Sequence, residues 1–298
     1  MALRSITTER QRRLGAELRK LRELAGLNVA DAGAHIGMAR AHLSHVEGGR
    51  TAIPSSKLRQ LCQAYGYTSA PIVDVLVEMS EDDGKGWWHA YRHTLGSTAL
   101  DLAELEHAAV AFRTYESLFV PGLLQTAEYT RAIFRSSEQN RTGEEQERAA
   151  QFREERQKIL SGESPASIHA VIHEAALHVR FGGAATMRKQ LLHLIRLAER
   201  PHVTIQILPF TAEGLASFST PFLVVESHRS TLRTVLTETP AGSTFLHDTV
   251  STERYEAQFS RLAGAALPLV DPKAAPADHD TRDSITLIQH VLYTLQGA

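Results

Sequence analysis

The run Leu27-Asn28-Val29-Ala30-Asp31-Ala32-Gly33-Ala34-His35-Ile36-Gly37-Met38-Ala39-Arg40-Ala41-His42-Leu43-Ser44-His45-Val46-Glu47-Gly48-Gly49-Arg50 decides how the N-terminal part of this chain is read. Asn28 can cap a helix from Val29 to Ile36, and Gly37 permits the tight turn that follows. A second short helix covers about Arg40 to Glu47 and is stopped by Gly48-Gly49. Ala32, Ile36, Met38, Leu43 and Val46 would form an internal core, while Ala32 and Gly33 allow the helices to approach closely. The outward residues at the start of the second helix are Ala39, Arg40, Ala41, His42, Ser44 and His45. A short helix, a sharp turn and a second helix with an open start is the layout of a helix-turn-helix, whose second helix enters a major groove.

Around this run the pattern stays helical. Leu14, Leu18 and Leu21 recur at i, i+4 and i+7 with Arg and Glu opposite, and Gly26 closes that helix. Pro54-Ser55-Ser56 opens a fourth helix through Tyr65, and Ser69-Ala70-Pro71 opens a fifth through Met79. The polar, twice glycine-interrupted stretch Glu81-Asp82-Asp83-Gly84-Lys85-Gly86 predicts a linker. Beyond it, helical stretches near 98–108, 124–136, 143–161, 184–200, 250–266 and 281–296 alternate with strand-like runs at 168–172, 203–208, 221–225 and 232–236. Thr142 with Glu145 forms a capping box, and Asp271–Asp280 predicts a surface loop. The expected fold is therefore multidomain: an all-α five-helix domain over 1–80, a linker over 81–86, and an α+β domain over 87–298.

Composition agrees with an ordinary globular protein of two cores: 298 residues, 43% hydrophobic and 22% charged. The net charge of −2 hides an asymmetry. Residues 1–80 hold eleven Lys/Arg against seven Asp/Glu, a balance of +4 that leaves −6 for the rest. A basic head on an acidic body is what a chain shows when only its head meets phosphate. For Arg10, Arg12 and Arg13 two readings stay open, a phosphate-facing row and a solvated helix face. The single Cys62 excludes an internal disulfide and a Cys-rich zinc site, and its apolar surroundings read as core. Neither a signal-peptide core nor a membrane-length apolar run occurs, so a cytoplasmic, nucleoid-associated protein is expected.

Motifs for catalysis fail. His173-Glu174-Ala175-Ala176-Leu177-His178 has one residue too many for a zincin, because imidazoles at i and i+5 do not share a helical face. His169 and His173 have i, i+4 spacing but sit in a strand-like run. There is no Gly-x-Ser-x-Gly elbow, phosphate loop or dinucleotide fingerprint. No metal, no cofactor and no enzymatic activity are expected. Trp87, Trp88 and Tyr91 could line an apolar ligand pocket or simply belong to the core.

Residues 14–66, with their order of apolar, glycine and Ser-x-x-Glu-x-Gly positions, resemble the Cro and lambda-repressor (XRE-type) helix-turn-helix. The resemblance implies that Arg40, His42, Ser44 and His45 occupy base-contact positions, with Asn28, Ala41 and Arg50 completing the DNA face. Val29 stands where many members carry Gln, and Ala39 and Ala41 replace polar residues. A second resemblance runs from Gly86-Trp87-Trp88 to the end. Val120-Pro121-Gly122-Leu123-Leu124-Gln125-Thr126, His173-Glu174-Ala175-Ala176-Leu177, Gln190-Leu191 and Ile207-Leu208-Pro209-Phe210 are similar to blocks of the actinobacterial antitoxin-like helix-turn-helix regulators. It implies control of development or secondary metabolism through a small protein partner encoded nearby. Pro121-Gly122 is expected to stop a strand and start a helix, with Gln125 and Thr126 as further partner or ligand contacts.

The expectation is a dimeric regulator that binds double-stranded DNA and receives a signal through its C-terminal domain. An antitoxin-like partner-binding inhibitor and an enzyme carried on a DNA-binding head are the alternatives.

Overall fold

The computed structural model describes residues 7–68, 71–137, 142–213, 220–227, 232–239, 242–273 and 283–295. The expected opening of the fifth helix at Ser69-Ala70 and most of the 271–280 loop lie outside them. Two compact units are present. The first includes Met1–Arg92 and Gly96–Leu105; the second includes His93–Leu95, Glu106–His228 and Leu232–Ala298.

The first unit is helical: α1 (Glu9–Leu24), α2 (Val29–His35), α3 (Arg40–Glu47), α4 (Ser55–Ala64) and α5 (Pro71–Glu81), then a 3-10 turn over Trp87–Tyr91 and the start of α6 (Ser97–His107). Thr8 opens α1 with a capping box completed by Gln11. Leu14, Leu18 and Leu21 of α1 meet Ala32, Ile36, Met38, Leu43, Val46, Leu58, Leu61 and Leu76 in one core that also buries Cys62. Burial pushes the Cys62 thiol up to about 11, as a small core hydrophobe requires. The close approaches are made by glycine. A Cβ on Gly33 would sit 2.3 Å from the Met38 carbonyl oxygen, and one on Gly15 would sit 2.3 Å from that of Glu47. The first contact closes the turn between α2 and α3; the second seats α3 on α1.

Where the sequence reading starts the second domain at 87, the compact units keep 87–92 and 96–105 with the helical head. Trp88 and Tyr91 are buried, and α6 is tied to α1 by the ion pairs described below.

The second unit is built on a six-stranded mixed sheet of order β3-β2-β1-β4-β5-β6. Its strands are β1 (Ala109–Glu116), β2 (Ser167–His173), β3 (Val203–Leu208), β4 (Phe222–Ser227), β5 (Arg233–Thr239) and β6 (Gly242–Leu246). β1, β2 and β3 run parallel, whereas β4, β5 and β6 pair antiparallel. The helices are α7 (Ala127–Ser137), α8 (Gly143–Gln157), α9 (Ala175–His178), α10 (Gly183–Leu197), α11 (Thr249–Ala265) and α12 (Ser284–Thr294). One sheet face packs Tyr115, Val171, Phe222, Val224 and Val235 against Phe259 and Leu262 of α11. The outer edge of β3 is covered: Leu267 and Val270 N–H groups donate to Ile207 and Ile205 carbonyls, and Ile207 N–H donates to Ser284 Oγ at 2.9 Å. An open strand edge is thereby avoided.

The central strand β1 and the edge strand β6 are additions to the sequence reading. Ala109-Val110-Ala111 follows closely on α6, and although Val110, Phe112, Thr114 and Tyr115 favour a strand, no glycine or proline separates the run from that helix. Pro121 does not adjoin the strand. β1 ends at Glu116, Pro121 leads into a single 3-10 turn over Gly122–Leu124, and α7 starts at Ala127.

Candidate nucleic-acid interface

The turn between α2 and α3 is held by backbone and by one buried ion pair. Met38 N–H donates to Gly33 O at 2.8 Å, and Gly37 takes φ +62°. Glu47, at the far end of α3, receives two hydrogen bonds from Arg22 of α1, Nε to Oε1 at 2.6 Å and Nη2 to Oε2 at 3.0 Å. Both side chains are under a tenth exposed, 8% and 6%. Arg22 Nη1 also donates to Leu27 O at 2.8 Å, fixing the approach to α2. The acidic position of the Ser-x-x-Glu-x-Gly pattern thus orients α3 from behind and does not face outward.

Arg40, Ala41 and Ser44 are exposed, and their i, i+1, i+4 spacing puts them on one side of α3. His45 is half-buried and Arg50 exposed. Asn28 is exposed, but its side chain is engaged locally: Oδ1 accepts from Ala30 and Asp31 N–H groups, and Nδ2 donates to Asp31. It works here as a helix cap. His42 departs from its expected role. Its ring is half-buried, and its Nε2 is buried without a hydrogen-bond partner, so that nitrogen is not offered to a base edge in this arrangement. The reason is helical geometry, since residue 42 precedes buried Leu43 and lies a turn from Val46.

Ion pairing uses up most of the head's positive charge. Arg10 pairs with Glu104 at 2.6 Å, Arg12 with Glu9 at 2.7 Å and Asp101 at 3.0 Å, and Arg13 with Glu17 at 3.0 Å. Arg19 pairs with Glu23 and Arg59 with Asp74. Lys57 donates to the Ile36 carbonyl at 3.1 Å. Arg40 and Arg50, flanking α3, are exposed and enter no ion pair among the described residues. Of the α1 arginines, Arg10 and Arg13 are largely buried against carboxylates, while Arg12 lies on the exposed face of α1 and is also bound to Glu9 and Asp101.

The C-terminal candidates behave differently. Gln125 is buried and saturated by protein: Nε2 donates to Val120 O at 2.7 Å, while Oε1 accepts from Thr130 Oγ1 and Arg153 Nη1, each at 2.9 Å. Thr126 N–H donates to Gln190 Oε1 at 2.7 Å, and its hydroxyl accepts from Tyr129 N–H. Gln190 Nε2 donates to Leu124 O, and Gln157 Nε2 to the carbonyls of Gly122 and Gln125. Three glutamines thereby satisfy the backbone of an irregular buried turn, as such a turn requires. In the helical unit, Trp87 meets Trp88 and Tyr91 edge-on at about 6 Å, with Trp88 and Tyr91 buried.

A charged cluster missed by the sequence reading lies at one end of the sheet. Tyr115, Phe222 and Thr237 share a row across β1, β4 and β5, so Glu116 and Glu238 are each one residue beyond it. Burial, then the neighbouring Glu238 carboxylate, pushes the Glu116 carboxyl up to about 8. Arg153 of α8 is pushed down to about 10 by burial and by Arg156; its guanidinium lies 4.7 Å above the Phe134 ring. Arg156 binds Glu106 through two hydrogen bonds of 2.6 and 2.7 Å. The histidines do not assemble: His169 is hydrogen-bonded to Gln206 at 2.7 Å, and His173 meets Phe210 edge-on. Among the described residues no group of three or more His, Cys, Asp or Glu is placed to hold a metal ion, and no helix is long and apolar enough to cross a membrane.

These features define a two-domain protein with a helix-turn-helix head, and residues 13–72 match a helix-turn-helix domain. Residues 99–271, more than half of the chain, match a domain of unknown function (DUF5753), and the chain belongs to that family. No curated protein and no solved structure gives a significant match.

Proposed function

We propose that this protein is a sequence-specific DNA-binding transcriptional regulator, with α3 as the reading helix and the DUF5753 region as the part that receives a signal from a small protein partner or ligand. The observation that carries the reading is the contrast in charge: among the described residues of 1–80 the other six arginines are ion-paired, while Arg40 and Arg50 stand open at the two ends of α3. DNA affinity then belongs to residues 1–80. Arg40 suits a bidentate contact to guanine, Ala41 a thymine methyl, Ser44 and His45 adjacent base or sugar atoms, and Arg50 a phosphate. Asn28 supports this face by capping α2, its Oδ1 taking up the Ala30 and Asp31 N–H groups. A helix with two alanines near its start reads few bases, so we further propose a dimer on a two-fold site with half-sites roughly 10 base pairs apart.

The test is a binding comparison on a selected site and on random duplex. Arg40→Ala should lose roughly 1–3 kcal/mol on the selected site with little change on random DNA. Arg50→Ala should weaken both alike and reduce the salt slope by about 1. Equal losses on both duplexes for Arg40→Ala would show that Arg40 only positions the protein. A full-length chain that binds no duplex at low salt would refute the reading altogether.

A further inference from the structure

α6 is attached to the head by an unusual set of contacts. Asp101 accepts from the Glu9 N–H at 3.1 Å and from Arg12 Nη2 at 3.0 Å. One turn later Glu104 accepts from Arg10 Nε at 2.6 Å. Arg10 also donates to the Met79 carbonyl and lies near Asp82, 3.9 Å away. Among the described residues the apolar core of the head, which spans α1 to α5, contains no side chain from α6. Two carboxylates spaced one turn apart thus grip the first turn of α1 through charge. Burial pushes both carboxyls up more than the arginines draw them down, so these pairs hold α6 without fully repaying their own desolvation.

The place they grip is next to the DNA face. A Cβ on Gly49 would lie 2.8 Å from the Gln11 carbonyl oxygen and 2.9 Å from Thr7 Cγ2. The first turn of α1 therefore lies against the loop that presents Arg50. Resting on the DNA-binding reading above, we propose that α6 is an internal stand-in for DNA phosphate. Asp101 and Glu104 withhold Arg12 and Arg10 from the duplex, and release of α6 converts the start of α1 into a second phosphate-binding strip that extends the one at Arg50. Phosphate is the ligand this strip fits, since arginine forks match anionic oxygens and the Gln11 amide between them is held in the capping box with Thr8. A signal that moves α6 then raises affinity for any duplex and not for one sequence.

The experiment uses the full chain. Asp101→Asn with Glu104→Gln removes both negative charges at nearly constant shape, and binding to a random-sequence duplex is measured across a salt series. The double variant should bind roughly tenfold tighter at low salt, with a slope of log K against log salt steeper by roughly 1.8, the release expected for two more phosphates. Asp101→Asn alone keeps an acceptor for the Glu9 N–H and releases Arg12 Nη2, on a side chain that is 47% exposed and still held by Glu9 at its Nε; its slope should steepen by at most roughly 0.9. Adding Arg10→Gln and Arg12→Gln to the double variant should return the slope to that of the parent. An unchanged near-UV spectrum checks that the head stays folded. If both neutralised variants keep the parent's slope while Arg40→Ala still weakens the parent on its selected site, the masking idea is wrong and the DNA-binding reading survives. A parent and a double variant that both fail to bind any duplex would sink the two together.

Discussion

The helical head and the turn after β1 in the sheet domain are fastened to their cores by different chemistry. In the head the ties are charged: Arg22 to Glu47, Arg13 to Glu17, Arg10 and Arg12 to Glu104 and Asp101. In the sheet domain the turn after β1 is tied by neutral amides, Gln125, Gln157 and Gln190. A charged tie changes what the surface can bind, because each arginine used internally is one fewer for phosphate. An amide tie leaves the surface charge alone. In the head, therefore, folding and the proposed DNA contact draw on one set of arginines, and among the described residues of 1–80 each arginine except Arg40 and Arg50 is ion-paired.

Breaking one tie of each kind sharpens the contrast. Glu47→Ala leaves the buried Arg22 guanidinium with only the half-exposed Glu23 carboxylate, 3.6 Å away, and it should cost the head about 3–5 kcal/mol, read as a lower unfolding midpoint. Little effect would mean that water or a neighbour takes over the guanidinium and that α3 is not held by this pair. Gln125→Ala removes an acceptor for Thr130 and Arg153 and a donor to Val120 O. A loss of about 1–3 kcal/mol from the sheet domain is expected, with DNA binding unaffected. A fall in DNA affinity instead would give Gln125 a role beyond the fold.

The third change concerns pH. The Glu116 carboxyl titrates near 8 in the folded chain against an ordinary value of 4.5. The folded state therefore keeps a proton that the unfolded state releases between those values, so stability falls as pH rises through this window and stays lower above it. Glu116→Gln, facing Glu238 and Arg153, should flatten that dependence and raise the melting point at pH 8.5 by about 2–4 °C. Parallel pH profiles for parent and variant would show that Glu116 is ordinarily hydrated. The smallest effect is expected at the exposed Arg59–Asp74 pair, 3.3 Å apart with both side chains 54% exposed. Arg59→Ala should change stability by less than about 1 kcal/mol, in contrast to the buried pair at Glu47.

Much of the head was legible without a structure. Asn28 as a cap, Gly37 at the turn and the leucines of α1 act over three to seven residues, and the helices they specify end close to where the sequence puts them. The capping box at Thr142 and Glu145 is another signal of this range. The helices of the sheet domain were readable for the same reason. β1 was not, because no turn residue separates it from α6 and its place is set by its partners β2 and β4, which pair with it across 56 to 118 positions.

The sequence by itself determined the elements, the helix-turn-helix layout and the exposed Arg40, because periodicity, caps and glycines are encoded locally. Tertiary structure alone decided which charges remain for an interface. Arg22 meets Glu47 across 25 positions and Arg12 meets Asp101 across 89, and a count of charges along 1–80 includes Glu47 but neither Asp101 nor Glu104. His42 turned partly inward and the gathering of Glu116, Arg153 and Glu238 were decided the same way. Charge compensation depends on distance in space and on local exclusion of water, and neither quantity exists until the chain has folded.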